Sequence, residues 1–117
     1  MSLDRPLPVI FFRTSAGNEP VREWLLDLTK DEKRLIGEDI KTVQYRWPLG
    51  MPLVRHLRDQ VYEVRTRLPT RIARTFFFAT PDAIILLHGI IKKTQQTPAD
   101  DLALALKRKT QYLHTHE

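Results

Sequence analysis

The chain has 117 residues, 42% of them hydrophobic, enough for one domain with a substantial core. Its formal net charge of +5 fits an anionic partner, and the lack of cysteine excludes a disulfide framework and a thiolate metal site. No apolar run reaches membrane-spanning length and Met1 to Pro6 lack signal-peptide shape, so the expectation is a cytoplasmic protein with no membrane partner.

Residues 1–7 and 114–117 are expected to fray, with one domain filling the chain 1–117. Pro8 to Phe12 is short, apolar and rich in β-branched and aromatic residues, which predicts a strand covered on both faces. Thr14 to Asn18 reads as a turn, with Asn18 as N-cap and Pro20 in the first turn of a helix. Val21, Trp24, Leu25 and Leu28 carry that helix to Leu28. Thr29 and Glu32 form a capping box that opens a second helix, whose apolar stripe is Ile36, Ile40, Val43 and Trp47. Gly37 costs that helix about 1 kcal/mol relative to Ala. Close packing against the first helix is its expected use. Pro48, Gly50 and Pro52 end the element.

Leu53 to Gln60 reads as a lead-in, anchored by Leu53, Val54 and Leu57. Three runs rich in Val, Ile, Thr, Phe and Tyr follow between Val61 and Lys93, punctuated at Pro69 and Pro81. Connections this short join only antiparallel neighbours. Alternation puts Tyr62, Val64 and Thr66 on one face, and Val61, Glu63, Arg65 and Arg67 on the other. Ile72, Arg74, Phe76 and Phe78 lie together, and His88 is expected beside Ile84, Leu86 and Ile90. Trp24, Leu28, Ile36, Ile40 and Val43 would cover one face, leaving a cationic face for a polyanion. Two guanidiniums near the sheet centre repel each other unless an anion sits between them, and a guanidinium fork suits a phosphate. Arg65 and Arg74 are therefore candidate phosphate ligands. The structural alternative is a Glu63–Arg65 neighbour pair, worth about 0–1 kcal/mol if exposed. His56 and His88 are either structural or acid–base groups near neutrality. No histidine pair has zinc-site spacing, so no metal is expected.

Thr97 as N-cap, Pro98 at the first helical position and Asp100 and Asp101 behind it predict a last helix with Leu102, Leu106, Lys109 and Leu113 along its face. Lys107-Arg108-Lys109 suits the negative end of that helix, with extension of a basic surface as the alternative. The fold expected is α+β: an N-terminal strand, a two-helix hairpin, a three-stranded antiparallel meander and a C-terminal helix.

Tyr62-Glu63-Val64-Arg65, Arg74 before an aromatic run, and Leu86-Leu87-His88-Gly89-Ile90-Ile91-Lys92-Lys93-Thr94-Gln95-Gln96-Thr97-Pro98 form an ordered set of motifs. With the Pro8-Val9 strand, the Glu19-Pro20-Val21 helix start and a last helix bearing Arg108 and Tyr112, the order resembles the HigB-like, phage-derived branch of the RelE/ParE toxin superfamily. The resemblance covers roughly residues 8 to 113. It implies a type II toxin that enters the ribosomal A site and cuts mRNA without a metal or cofactor. There the ribose 2′-hydroxyl attacks the adjacent phosphorus. A helix-turn-helix antitoxin would neutralise it. Residue by residue, the resemblance assigns Arg65 to the scissile phosphate and Arg74 to phosphate binding or positioning. It gives Lys92 and Lys93 to leaving-oxygen protonation or a phosphate clamp. His88 and Tyr112 are then candidate helpers, with Arg67 and Arg71 as further RNA contacts. The superfamily also holds gyrase-directed and catalytically idle relatives. Apart from any resemblance, a basic module that binds RNA without cutting it fits the same composition.

Overall fold

The computed structural model describes residues 5–92 and 96–116, Lys92 in its backbone alone. Along them run β1 (Val9–Phe11), α1 (Pro20–Leu26), α2 (Lys30–Arg46), β2 (Val54–Arg58), β3 (Val61–Arg67), β4 (Ile72–Ala79), β5 (Ile84–Lys92) and α3 (Ala99–Thr115). The strands form one sheet in the order β1-β5-β4-β3-β2. Strands β2 to β5 succeed one another antiparallel, and β1 lies parallel to β5 at the edge, with Ile10 opposite Ile85. This is the expected α+β architecture with one strand more.

The extra strand is β2, in the segment expected to be a lead-in. Val54 pairs with Val64 and His56 with Tyr62. Asp59 and Gln60 then reverse the chain with φ of 50° and 65°. Two successive left-handed residues give the twist that a tight hairpin needs.

Pro20 enters α1 as the sequence suggests, but the cap is Glu19, without a side-chain bond, and the helix stops at Leu26 rather than Leu28. The Asn18 amide instead donates to Thr14 Oγ1. The capping box of α2 is present: Thr29 Oγ1 accepts from the Glu32 amide at 3.2 Å and Glu32 Oε1 from the Thr29 amide at 3.1 Å. Val21, Ile36, Ile40 and Val43, with Trp24, Leu25 and Leu28 beside them, cover Val64, Ala73, Phe77, Ile84 and Leu86. Gly37 has no neighbour within 4 Å of a built Cβ, so close packing is not its role. Gly89 has that role. A Cβ there would stand 2.1 Å from the Trp24 ring.

The other sheet face is not the open cationic surface that alternation suggests. Helix α3 lies on it, packing Leu102, Ala105, Leu106 and Tyr112 against Val61, Phe76, Phe78, Ile85, Leu87 and Ile90. Phe76 and Phe77 are fully buried on opposite faces, and burial of each contributes about 1.5–3 kcal/mol. Leu113, expected on the packed side of α3, is 45% exposed. The helix runs on to Thr115, past the point where fraying is expected. A register shift between Phe76 and Phe77 breaks the alternation along β5. His88 consequently meets Phe76 on the α3 side, while Ile84 and Leu86 face the other helices.

Candidate functional site

Strand register sorts the charged side chains of the α3 face into three rows. In one, Arg55, Glu63, Phe76 and His88 stand side by side across β2 to β5. In the next, Arg65 pairs with Arg74, and Arg74 with Ile90. Arg67, Ile72 and the Lys92 backbone make the third. The apolar block under α3 stops at the first row. Beyond it the face is built from guanidiniums around one carboxylate.

That carboxylate, Glu63, is fully buried. Its Oε1 accepts a 2.9 Å hydrogen bond from the Thr97 hydroxyl, and its Oε2 faces Arg65 Nε at 3.8 Å. The Glu63–Arg65 neighbour pair therefore exists, but in the interior rather than on the surface. Arg65 keeps 17% of its side chain exposed, Arg55 is half-buried and Arg67 is exposed.

Arg74 has no exposed surface. Its Nη1 donates to the Gln96 carbonyl oxygen at 2.8 Å. Burial lowers its pKa from the ordinary arginine value; Glu63 opposes that shift, and Arg65 and Arg55 add to it. A guanidinium so far inside cannot meet a phosphate directly in this arrangement.

The remaining expected residues divide. Arg67 shares the face of Arg65. Arg71 does not: its Nε and Nη2 donate to Glu32 Oε2 at 3.1 and 2.8 Å, which ties it to α2. His88 Nε2 lies 2.7 Å from Asp101 Oδ1, and Arg108 Nη1 lies 3.4 Å from its Nδ1 while donating to the Leu87 carbonyl at 2.9 Å. Two strand spacings separate His88 from Glu63, roughly 10 Å. Its bonds hold α3 to β5. Tyr112 packs edge-on against Phe78 at 5.7 Å, about 13 Å along β4 from Arg74, beside a groove of about 790 Å³ formed with Phe12, Arg13 and Lys107. The structure thus brings Arg65, Arg67 and Arg74 together and keeps His88, Arg71 and Tyr112 apart from them. Lys93 lies outside the described residues.

Arg55 and Thr97 join the site without having been expected there. Arg55 was hidden because β2 was not recognised, and with it the pairing to Glu63. Thr97 read as an N-cap, yet α3 is capped by Pro98 without a side-chain bond, which leaves the hydroxyl to Glu63. The only signal in the sequence was a lone Glu among strand arginines, in need of donors.

Among the described residues no three His, Asp or Glu side chains converge as a metal site, and no helix is long and apolar enough to cross a membrane. Residues 23–110 match the model of the family described as Phage derived protein Gp49-like (DUF891). A search of curated proteins gave no match.

Proposed function

We propose that this chain, which belongs to the Gp49-like phage-derived family of toxin–antitoxin toxins of RelE/HigB-like type, is an endoribonuclease that cuts mRNA on the ribosome. The observation that carries the reading is the cross-strand pair Arg65–Arg74 with Glu63 beside it, at the end of the sheet that α3 leaves uncovered by apolar packing. Two guanidiniums on paired residues repel each other, and a phosphate between them would offset that cost. Guanidiniums held by their surroundings are suited to the charge that develops on phosphorus.

In this reading the 2′-hydroxyl oxygen forms a bond to phosphorus as its proton passes to solvent, the bond to the 5′-oxygen breaks, and a 2′,3′-cyclic phosphate remains. Arg65 sits against the non-bridging oxygens and stabilises the added charge. Arg67 and Arg55 hold flanking phosphates and keep the attacking and leaving oxygens in line. Arg74, from the interior, fixes the strand pair and Gln96. Protonation of the departing 5′-oxygen falls to the Lys92–Lys93 pair, an assignment taken from the motif they stand in. His88 and Tyr112 serve α3 rather than the phosphate. A helix-turn-helix antitoxin and the ribosome are the partners that follow.

Inducible expression in a bacterial host with mapping of mRNA 5′ ends tests the reading. Growth arrest with new ends inside codons, both lost in Arg65→Ala, is expected. Arrest with intact transcripts and a DNA-damage response would place the chain with the gyrase-directed relatives instead.

A further inference from the structure

The two edges of the sheet, β2 and β1, differ in chemistry. Strand β2 carries Arg55, His56 and Arg58, charge that discourages pairing with another chain. Strand β1, Val9-Ile10-Phe11, carries no charge. The Pro8 carbonyl accepts from the Ile84 amide and the Phe12 amide donates to the Leu86 carbonyl, each at 2.9 Å. Alternate residues therefore face β5, and the amide and carbonyl of Phe11 point off the sheet. Ile10, on the α3 side of this edge, is 39% exposed.

The groove of about 790 Å³ runs beside that edge, between β1 and the second half of α3. Ile10, Phe12, Leu104 and Tyr112 make it apolar, and Arg13, Lys107 and Arg108 give it positive charge. Glu19, the carboxylate among its lining residues, is already held by Arg22 at 2.6 Å and faces Arg13 at 3.8 Å. Among the described residues no carboxylate comes within ion-pair distance of Lys107 or Arg108. Arg108 is half-buried, donates to the Leu87 carbonyl and approaches His88 Nδ1. Burial pulls its pKa below the ordinary arginine value. Such a guanidinium is partly desolvated without a counter-charge, a cost that an incoming carboxylate would relieve.

An uncharged open edge is matched by a polypeptide backbone, whose amides and carbonyls can continue the ladder. RNA has no such row of groups, and a second copy of a chain with net charge +5 would bring its own cations to the groove. We propose that β1 and this groove receive an extended, acidic segment of a partner protein, which adds a strand outside Phe11 and turns every second side chain towards α3. Its apolar side chains cover Ile10 and Leu104, and its carboxylates meet Lys107 and Arg108. The groove lies at the opposite end of α3 from Arg65, so the segment binds without touching the arginine cluster. That the partner is the antitoxin rests on the toxin reading; the groove and the open edge do not.

The probe is a short fluorescein-labelled peptide with Glu and Leu in turn at every second position and Thr between them, followed by anisotropy on the purified chain. It should bind at least tenfold tighter than the same peptide with Lys in place of Glu. Lys107→Glu should weaken binding at least fivefold. Arg67→Glu, an equal change of net charge at the far end of α3, should leave it within about twofold. Equal losses in the two variants would mean attraction by net charge alone and overturn the proposal. In ¹⁵N-labelled chain the Phe11 amide should gain protection from hydrogen exchange when the peptide is added; an amide that exchanges as before overturns the strand pairing. Tighter binding of a short single-stranded RNA, weakened by Lys107→Glu and not by Arg67→Glu, would make the groove an RNA contact. A dimer of the free chain that Ile10→Glu dissociates would give the edge to a second copy. Either result overturns the proposal. None of these readouts needs cleavage: if the parent cuts no mRNA, the nuclease reading fails and the peptide measurements still decide the groove.

Discussion

Burial decides what each arginine of this sheet can do. Arg65 and Arg74 face each other across two strands, yet one reaches solvent and the other does not. Alternation in the sequence could assign both to one face. It could not show that the Gln96 carbonyl would close over Arg74, because that contact spans 22 residues. His88 teaches the same lesson from another cause. One register shift in the β4–β5 ladder moved it to the opposite side from Ile84 and Leu86. Glycine offers the sharpest test at this scale. Gly89 sits in mid-strand under the Trp24 ring, with a built Cβ 2.1 to 2.5 Å from three ring carbons. Gly89→Ala should therefore lower stability by about 1–3 kcal/mol, read from the urea midpoint, with a shift in tryptophan emission. Gly37→Ala, in open space within α2, should be neutral or stabilising by up to about 1 kcal/mol. A Gly89→Ala protein as stable as the parent would mean that Trp24 does not lie on this glycine.

Among the elements, the strongly periodic ones were legible and the edge strand was not. The two-residue signature of α2, Thr29 and Glu32, appears as a completed capping box. The apolar runs of β3, β4 and β5 could be read directly. Strand β2 was missed because Arg55, His56 and Arg58 break its apolar pattern. Charge of that kind protects an outer strand from pairing with another chain. Its turn, Asp59-Gln60, also lacks the glycine that usually announces a hairpin. The α2 N-terminus supplies a pH prediction. The Thr29 amide, first, and then Arg71 hold the Glu32 carboxyl below its ordinary pKa. The unfolded chain therefore takes up a proton at a higher pH than the folded one. This stabilisation is complete above the ordinary carboxylate range and disappears as pH falls through the lowered native value. Glu32→Gln should be less stable than the parent at pH 7, and the gap should shrink below about pH 4, measured as urea midpoints. A gap that stays constant with pH would contradict the ionic role of the Glu32–Arg71 contact.

For the molecule as a whole, the sheet has two different ends on its α3 face. One is apolar and closed by Leu102, Leu106 and Tyr112; the other holds Arg55, Arg65, Arg67 and Arg74 around Glu63. On the proposed reading, this division lets a chain with a net charge of +5 offer a local anion site while packing both sheet faces. Three of those arginines retain surface, so RNA affinity should fall with salt at a slope of about −2, or about −0.7 per phosphate neutralised. Arg67→Ala should reduce the slope by about one such unit. An unchanged slope would remove Arg67 from the RNA contact.

The central claim is that Arg65 works on the scissile phosphate of ribosome-bound mRNA. Purified protein mixed with ribosomes that hold a defined codon in an empty A site, in a single-turnover cleavage assay, tests it most directly. The account predicts a cut within that codon, no cut in the same mRNA without ribosomes, and a rate at least about 100-fold lower for Arg65→Ala. Intact mRNA with the parent protein, or equal cutting by Arg65→Ala, would contradict it.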